Sequence, residues 1–277
     1  MAQEPDIAAH YHRSGRLADR ILELAREQRA NQQAPLRAAD LAPFDQLHMG
    51  GARSTARLAD LAAPAAGALL LDLGAGIAGP ARQLAEERQV TVVALDLTES
   101  FCQDAAALAR AVSLEAAVLP CCGDGTRLPF PDHCFDFVWT QHAAMNVPDK
   151  AMLYQETARV LKAGGHLTLH DIMAGPGGPP HFPLPWASSP AQSALLPPEE
   201  VRALILASDL EQLHWHDGTA EHLEEQRAER QRRGDAPPDP GPHMLYSGFL
   251  DLARNLQRSL KEDRARLVTG LFRKPRT

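Results

Sequence analysis

Apolar positions recur along this chain in two rhythms. Residues 14–30 carry them at 17, 18, 21, 22, 24 and 25, which is one face of a helix. Residues 54–63 predict a second short helix with Ser54 as its N-cap, and Pro35 and Pro43 punctuate the link before it. From residue 68 the rhythm shortens. An apolar run ends in Asp72, another spans 90–95, and further runs occupy 114–119 and 135–140. A Gly164-Gly165 turn then leads into a fifth run that closes at Asp171. Helical stretches separate these runs, so strands and helices alternate, which predicts an α/β fold built on a doubly wound, mostly parallel sheet.

The alternation breaks at residue 174. Residues 174–198 are dense in proline and glycine yet hold Phe182 and Trp186. A disordered linker rarely carries such aromatics, so the segment predicts an ordered loop across the carboxyl ends of the strands, where ligands bind in open α/β sheets. A helix over 199–208, a strand over 210–216, a charged helix over 220–233, a turn-rich breaker over 234–243, a helix over 244–260 and a strand over 265–272 follow. The sheet therefore totals seven strands. Residues 1–53 read as an N-terminal helical lid and 54–173 as the core. Residues 174–277 supply a loop, cap helices and closing strands of the same domain.

The glycine pattern after the first strand is the most informative chemistry. Gly74, Gly76 and Gly79 form G-x-G-x-x-G, and Ala81, Leu84 and Ala85 continue as a helix. Glycine permits close approach of a ligand to the backbone, so a nucleotide-like cofactor held against bare amides is expected. Asp96 ends the second strand about 20 residues on, where a ribose-binding acid belongs. Dinucleotide-dependent dehydrogenases use the same pattern, and the turn alone does not separate the two.

Composition narrows the partners. The 277 residues are 44% hydrophobic, and the formal net charge is −7. The basic clusters at 227–233 and 254–276 are interspersed with acids and read as solvated helix faces, so nucleic acid is not expected as a partner. Residues 1–15 lack an apolar signal core, and no apolar run approaches the roughly 18 residues needed to span a bilayer. A cytoplasmic protein without membrane insertion, monomeric or homodimeric, is expected. Cys102, Cys121, Cys122 and Cys134 form no C-x-x-C pair and read as buried, reduced thiols. No metal is expected.

Two later segments decide between cofactors. Residues 121–139 read CCGDGTRLPFPDHCFDFVW and residues 159–171 read RVLKAGGHLTLHD. With the first strand they give the order D-x-G-x-G, strand-Asp, G-D-x-x-x-L-P-F, F-D-x-V, R-V-L-K-x-G-G. Over residues 45–172 this resembles the class I S-adenosylmethionine-dependent methyltransferases. Within that family it looks most similar to the small-molecule branches that act on sarcosine and dimethylglycine or on ubiquinone and menaquinone precursors.

The resemblance implies S-adenosylmethionine as cofactor and a small-molecule methyl acceptor, with N or S preferred and O or C open. It implies that the amides of Gly74, Ala75 and Gly76 meet the cofactor's amino-acid end while Asp72 orients its ammonium group. Gly79 completes the turn. Asp96 accepts from the ribose hydroxyls with Leu97 beside it, and Asp124 accepts from the adenine amino group with Gly125 alongside. Gln141, after the fourth strand, falls among cofactor contacts. Met145-Asn146 stands where some natural-product relatives carry a histidine pair. His142 is then the candidate general base or acceptor-orienting group, against a packed strand-end histidine. Asp171 aligns with an acidic position near the acceptor. His48, Met145 and Trp186 are candidate acceptor contacts, with Phe182 a possible wall and Tyr11 a possible closing residue.

Two other classes fit the glycine turn. A nicotinamide-dependent oxidoreductase should show a catalytic Tyr-x-x-x-Lys, but Ala158 lies four residues after Tyr154. A cofactor-binding scaffold without turnover should have lost the cofactor acids, and all three are present.

Overall fold

The computed structural model describes residues 17–31 and 33–276. Tyr11 lies outside them. Three helices come first: α1 (Leu17–Glu27), α2 (Ala38–Asp45) and α3 (Gly51–Ala62). Then follow β1 (Leu69–Leu73), α4 (Gly79–Arg88), β2 (Thr91–Asp96), α5 (Glu99–Ala111), β3 (Val118–Cys122) and β4 (Phe135–Gln141). The chain continues through α6 (Lys150–Val160), β5 (Leu161–Ala174), α7 (Pro198–Leu206) and β6 (Glu211–Asp217). It ends with α8 (Thr219–Arg233), α9 (Phe249–Lys261) and β7 (Ala265–Arg273).

The seven strands form one sheet in the order β3-β2-β1-β4-β5-β7-β6. All pairings are parallel except the two made by β7. The predicted sheet is therefore the observed one. Strand order reverses between β1 and β4, which pair through Leu70–Phe137 and Leu71–Val138. Connections on either side of that point leave in opposite directions, and a crevice opens beyond the strands' carboxyl ends.

Successive side chains of β1 point to opposite faces, and both faces are covered. Leu71, Val138, Tyr154, Leu167, Ile205 and Phe272 fill one layer. Leu70, Val92, Trp139, Ala81 and Ala105 fill the other. The N-terminal helices share a smaller core, in which Ile21 and Leu24 of α1 meet Leu41 and Phe44 of α2, together with Ile77 and Leu108. Each such aliphatic burial contributes roughly 1.5–3 kcal/mol, enough to hold α1 and α2 on the sheet domain.

Several local expectations need correction. Pro43 does not break the chain but lies inside α2, because Leu41 and Phe44 gain more from packing than the proline costs. Gly50, not Ser54, caps α3; the Ser54 hydroxyl lies within the first turn and donates to carbonyls of Met49 and Gly51. β3 starts at Val118, later than expected, because residues 114–117 turn back on α5. Gly164 and Gly165 do not separate helix from strand. They form an irregularity inside β5, where pairing with β4 shifts between Phe135–Leu161 and Phe137–His166. The four thiols are free, but Cys122 is exposed and the other three are only half-buried. The loop after β5 is ordered, with Leu184, Trp186 and Ala187 buried against Ile172 and Leu256.

Candidate active site

A single cavity of 1410 Å³ lies over the carboxyl ends of β1, β2 and β4. Pockets that hold one drug-sized ligand measure roughly 300–1,000 Å³, so this cavity is larger than one such ligand needs. At one end stand Asp72, Gly76, Asp96, Leu97, Asp124 and Gly125. At the other stand His48, His142, Met145, Asn146, Trp186 and His222. The sheet's topology thus brings most of the sequence-predicted residues to one space.

The glycine turn works differently from the expectation of bare amides. The Gly74 and Ala75 amides both donate to the Leu95 carbonyl, at 2.9 and 3.0 Å. The Gly76 amide donates to Asp96 Oδ2 at 2.8 Å. None of the three is left for a ligand. The turn instead offers a surface without side chains. Gly76 has φ +54°, and a Cβ there would meet nothing within 4 Å, because it would project into the cavity. Gly74 serves packing, since a Cβ there would overlap Ala143 Cβ. Gly79 serves packing too, since a Cβ would overlap the Asp45 carbonyl.

The acids are positioned for charge. Asp72 is 2% exposed, and its Oδ2 has no hydrogen-bond partner. Burial, helped by the nearby charge of Asp96, pushes its carboxyl up to about 7. A cationic group beside it would repay that burial. Asp96 accepts from Gly76 and from the Thr98 amide at 2.9 Å, yet each oxygen keeps a lone pair for a further donor. Burial raises its carboxyl as well. Asp124 Oδ1 takes both the amide and the hydroxyl of Thr126 at 2.8 Å, leaving Oδ2 outside this turn. Leu97 is 72% exposed at the cavity edge, an apolar platform for a planar ring. An orphaned buried carboxylate, a bare glycine turn, a second acid and an exposed leucine together fit the amino-acid, ribose and adenine parts of S-adenosylmethionine.

Histidines dominate the other end. His142 follows β4 at φ +52°, its amide held by the His170 carbonyl at 3.0 Å. Its ring lies 6.0 Å from that of His48 and 5.5 Å from that of His170. Burial lowers His48 to about 3 and His170 to about 4, and it holds His142 well below the ordinary range. All three are neutral at physiological pH. His48 Nε2 is 3.1 Å from the Gly51 carbonyl, which only accepts, so this nitrogen carries the hydrogen. The buried Nε2 atoms of His142 and His170 have no hydrogen-bond partner.

Gln141 lines the cavity with its carbonyl oxygen fixed by Trp139 Nε1 at 2.9 Å, and its Nε2 has no partner. Trp186 donates to Ser193 Oγ at 3.1 Å and lines the wall. Phe182 does not; it packs against the loop's own core. Asp171 departs from its expected place. It is 2% exposed, does not line the cavity, and its Oδ2 accepts from the Ala144 amide at 3.3 Å. It braces the short turn Ala144–Asn146 from below.

Sequence reasoning missed three contributors. Lys150 is buried, bonds to carbonyls of Val147 and Ala194, and supports the same turn. His222 comes from α8, about eighty residues downstream of His142, and only the fold reveals their proximity. The buried Arg82–Asp45 pair, 2.9 Å apart, ties α2 to α4 at the cofactor end. Among the described residues, no cluster of His, Cys, Asp or Glu is arranged to hold a metal ion.

Comparison with known proteins fits this geometry. A family described as a methyltransferase domain matches residues 71–169, the stretch that carries the glycine turn and the three acids. Residues 71–169 are thus similar to a methyltransferase domain. The 27-O-demethylrifamycin SV methyltransferase of Amycolatopsis mediterranei is 34% identical over 124 residues, 45% of this chain and 46% of that protein. The glycine/sarcosine/dimethylglycine N-methyltransferase of Actinopolyspora halophila is 37% identical over 105 residues, 38% of this chain and 19% of that protein. These matches cover less than half of the curated relatives' own length. The structure of a geranyl diphosphate C-methyltransferase from Streptomyces coelicolor superposes with a TM-score of 0.66 at 17% identity, covering 95% of this chain and all of that one. At that identity the likeness shows the shared fold. The methyltransferase domain thus occurs here among relatives whose names point to oxygen, nitrogen and carbon acceptors.

Proposed function

We propose that this protein is an S-adenosylmethionine-dependent methyltransferase acting on a small molecule. The supporting observation is the single cavity that joins the Asp72–Gly76–Asp96 cradle to the His142–Met145–Trp186 wall. Asp72 holds the cofactor's ammonium group, Asp96 its ribose and Asp124 its adenine, with Leu97 against the ring. Gln141 lines the same cavity, and its buried Nε2 has no hydrogen-bond partner. The bound sulfonium supplies the methyl group. The chain's own part is to place an acceptor in line with it, exclude water and hold the geometry, which can supply most of the rate.

The sequence lean toward a nitrogen or sulfur acceptor rests on motif likeness alone. The related proteins differ in acceptor atom, and the acceptor is set by the far end of the cavity. The test is incubation of purified protein with S-adenosylmethionine and a metabolite library, read by mass for a gain of one methyl. A methylated small molecule supports the reading. Cofactor binding without product from amines, thioethers, phenols or quinones favours a non-catalytic scaffold instead.

A further inference from the structure

Cys102, Cys121, Cys122 and Cys134 are free thiols with no part in the site, and the fold sorts two of them into a pair. Side chains of a strand alternate between its faces. In β3, Cys121 therefore joins the layer of Leu95 and Val138, whereas Cys122 shares the face of Val118, which packs with Ala105 and Ala109 of α5. Cys102 stands on that side of α5, at helical spacing before Ala105 and Ala109. Cys122 is also paired in register with Asp96 across β2 and β3.

Both thiols close on one peptide. Cys122 Sγ donates to the Leu97 carbonyl at 3.6 Å. Cys102 Sγ lies 3.6 Å from the Asp96 carbonyl and 3.5 Å from that of Cys121. The two thiols are also within hydrogen-bond reach of each other. The peptide they grip joins the ribose acid Asp96 to the exposed platform Leu97, and α5 begins just beyond it with Glu99, Ser100 and Phe101 on the cavity wall. Cys102 and Cys122 themselves do not line the cavity. Cys122 is exposed, so a small oxidant reaches it, whereas Cys102 is half-buried. Burial and the charge of Asp96 push the Cys102 thiol up to about 12, so Cys102 is not the thiolate that meets the oxidant first.

Building on the methyltransferase reading, we propose that Cys122 and Cys102 form a dithiol that a hydroperoxide oxidises to a disulfide, and that this disulfide weakens cofactor binding by displacing Asp96 and Leu97. The Cys122 sulfur attacks one peroxide oxygen, the O–O bond breaks, and one water leaves as Cys122 becomes a sulfenic acid. The Cys102 sulfur then attacks the Cys122 sulfur, and the sulfenic hydroxyl leaves with the Cys102 proton as a second water. Two thiols give up two electrons, and one hydrogen peroxide is reduced to two waters. A thiol reductant reverses the bond. Both S–H donors to the 96–97 peptide are lost, and the joined sulfurs draw the start of α5 toward the end of β3. The loop that carries the ribose acid lies between them and shifts.

The double variant Cys121→Ala with Cys134→Ala keeps only this pair and is treated with hydrogen peroxide. Intact mass should fall by two hydrogens, and peptide mapping should join Cys102 to Cys122. A displaced Asp96 loses a hydrogen bond to ribose, and such bonds to a charged group are strong, so calorimetric affinity for S-adenosylhomocysteine should fall by about tenfold or more. A thiol reductant should restore both mass and affinity. Adding Cys122→Ser should leave the affinity of the reduced protein within about twofold and make it indifferent to peroxide, because the exposed Cys122 thiol is the one the oxidant must reach. The proposal is overturned if no Cys102–Cys122 link forms, if the linked protein binds as tightly as the reduced one, or if Cys122→Ser loses affinity equally on oxidation. If the reduced protein itself fails to bind S-adenosylhomocysteine, the methyltransferase reading falls and control of binding falls with it. The mapped link is decided separately, by mass.

Discussion

Asp96 and Gly76 are joined across 20 residues of sequence: Asp96 Oδ2 accepts the Gly76 amide at 2.8 Å. One carboxylate therefore both shapes the glycine turn and, through its second lone pairs, faces the cavity. Asp96→Asn must present an NH2 group to either the Gly76 or the Thr98 amide and lose that bond. Hydrogen bonds to charged groups contribute about 1.5–3 kcal/mol, so affinity for S-adenosylhomocysteine should fall by at least about tenfold. Calorimetry measures the affinity, and a melting curve shows how much of the loss is structural.

The three motif glycines should fail in different ways. At Gly76 an alanine adds about 1–2 kcal/mol of left-handed strain, meets no neighbour, and places its methyl in the cavity. Gly76→Ala should fold with a slightly lower Tm and bind the cofactor product poorly. Alanine at Gly74 or Gly79 would overlap Ala143 Cβ or the Asp45 carbonyl, and overpacking costs about 1–3 kcal/mol. Those variants should lose more stability than Gly76→Ala. Parallel melts and titrations of all three separate the effects.

Cofactor binding should release a proton below neutrality. Burial raises the free Asp72 carboxyl to about 7, whereas a bound ammonium group requires the carboxylate. As pH falls below about 7, binding must first remove that proton, so affinity drops by up to about tenfold per unit. Above 7 this contribution is constant. Calorimetry at pH 6 in buffers of different ionisation enthalpy measures the proton count. Asp72→Asn should bind more weakly at neutral pH and lose this slope.

Much of this arrangement was legible before the fold. Strand runs ending in Asp72 and Asp96, and Asp124 just after the third, put three acids at one sheet edge, because parallel strands share their carboxyl ends. Local bonding within that edge was not legible. That the Gly74 and Ala75 amides turn inward to the Leu95 carbonyl depends on turn geometry that G-x-G does not specify. Asp171 was misplaced for a similar reason. β5 runs three residues past Asp171, to Ala174, and the turn over residues 144–146 covers the Asp171 carboxylate. Pro43 misled because proline is a local signal, whereas the packing of Leu41 and Phe44 is a long-range one. His222 and Arg82 join their partners only through tertiary contacts.

A buried ion pair reinforces the apolar packing of α2 on α4. Arg82 and Asp45 are 0% and 1% exposed and 2.9 Å apart. Burial raises the Asp45 carboxyl even though Arg82 opposes the shift. Removing the arginine strands that acid, so Arg82→Met should cost about 3–5 kcal/mol. The double variant Arg82→Met with Asp45→Leu should recover much of the loss, because two apolar residues leave no buried charge. Denaturant melts of the parent, both single variants and the double variant complete the cycle.

The most direct test of the account is calorimetric titration of the purified protein with S-adenosylhomocysteine and, separately, with NAD. The account predicts saturable heat at one site per chain from the thioether nucleoside, abolished by Asp96→Asn combined with Gly76→Val, and no heat from NAD. Tight NAD binding together with no response to the thioether nucleoside would contradict it.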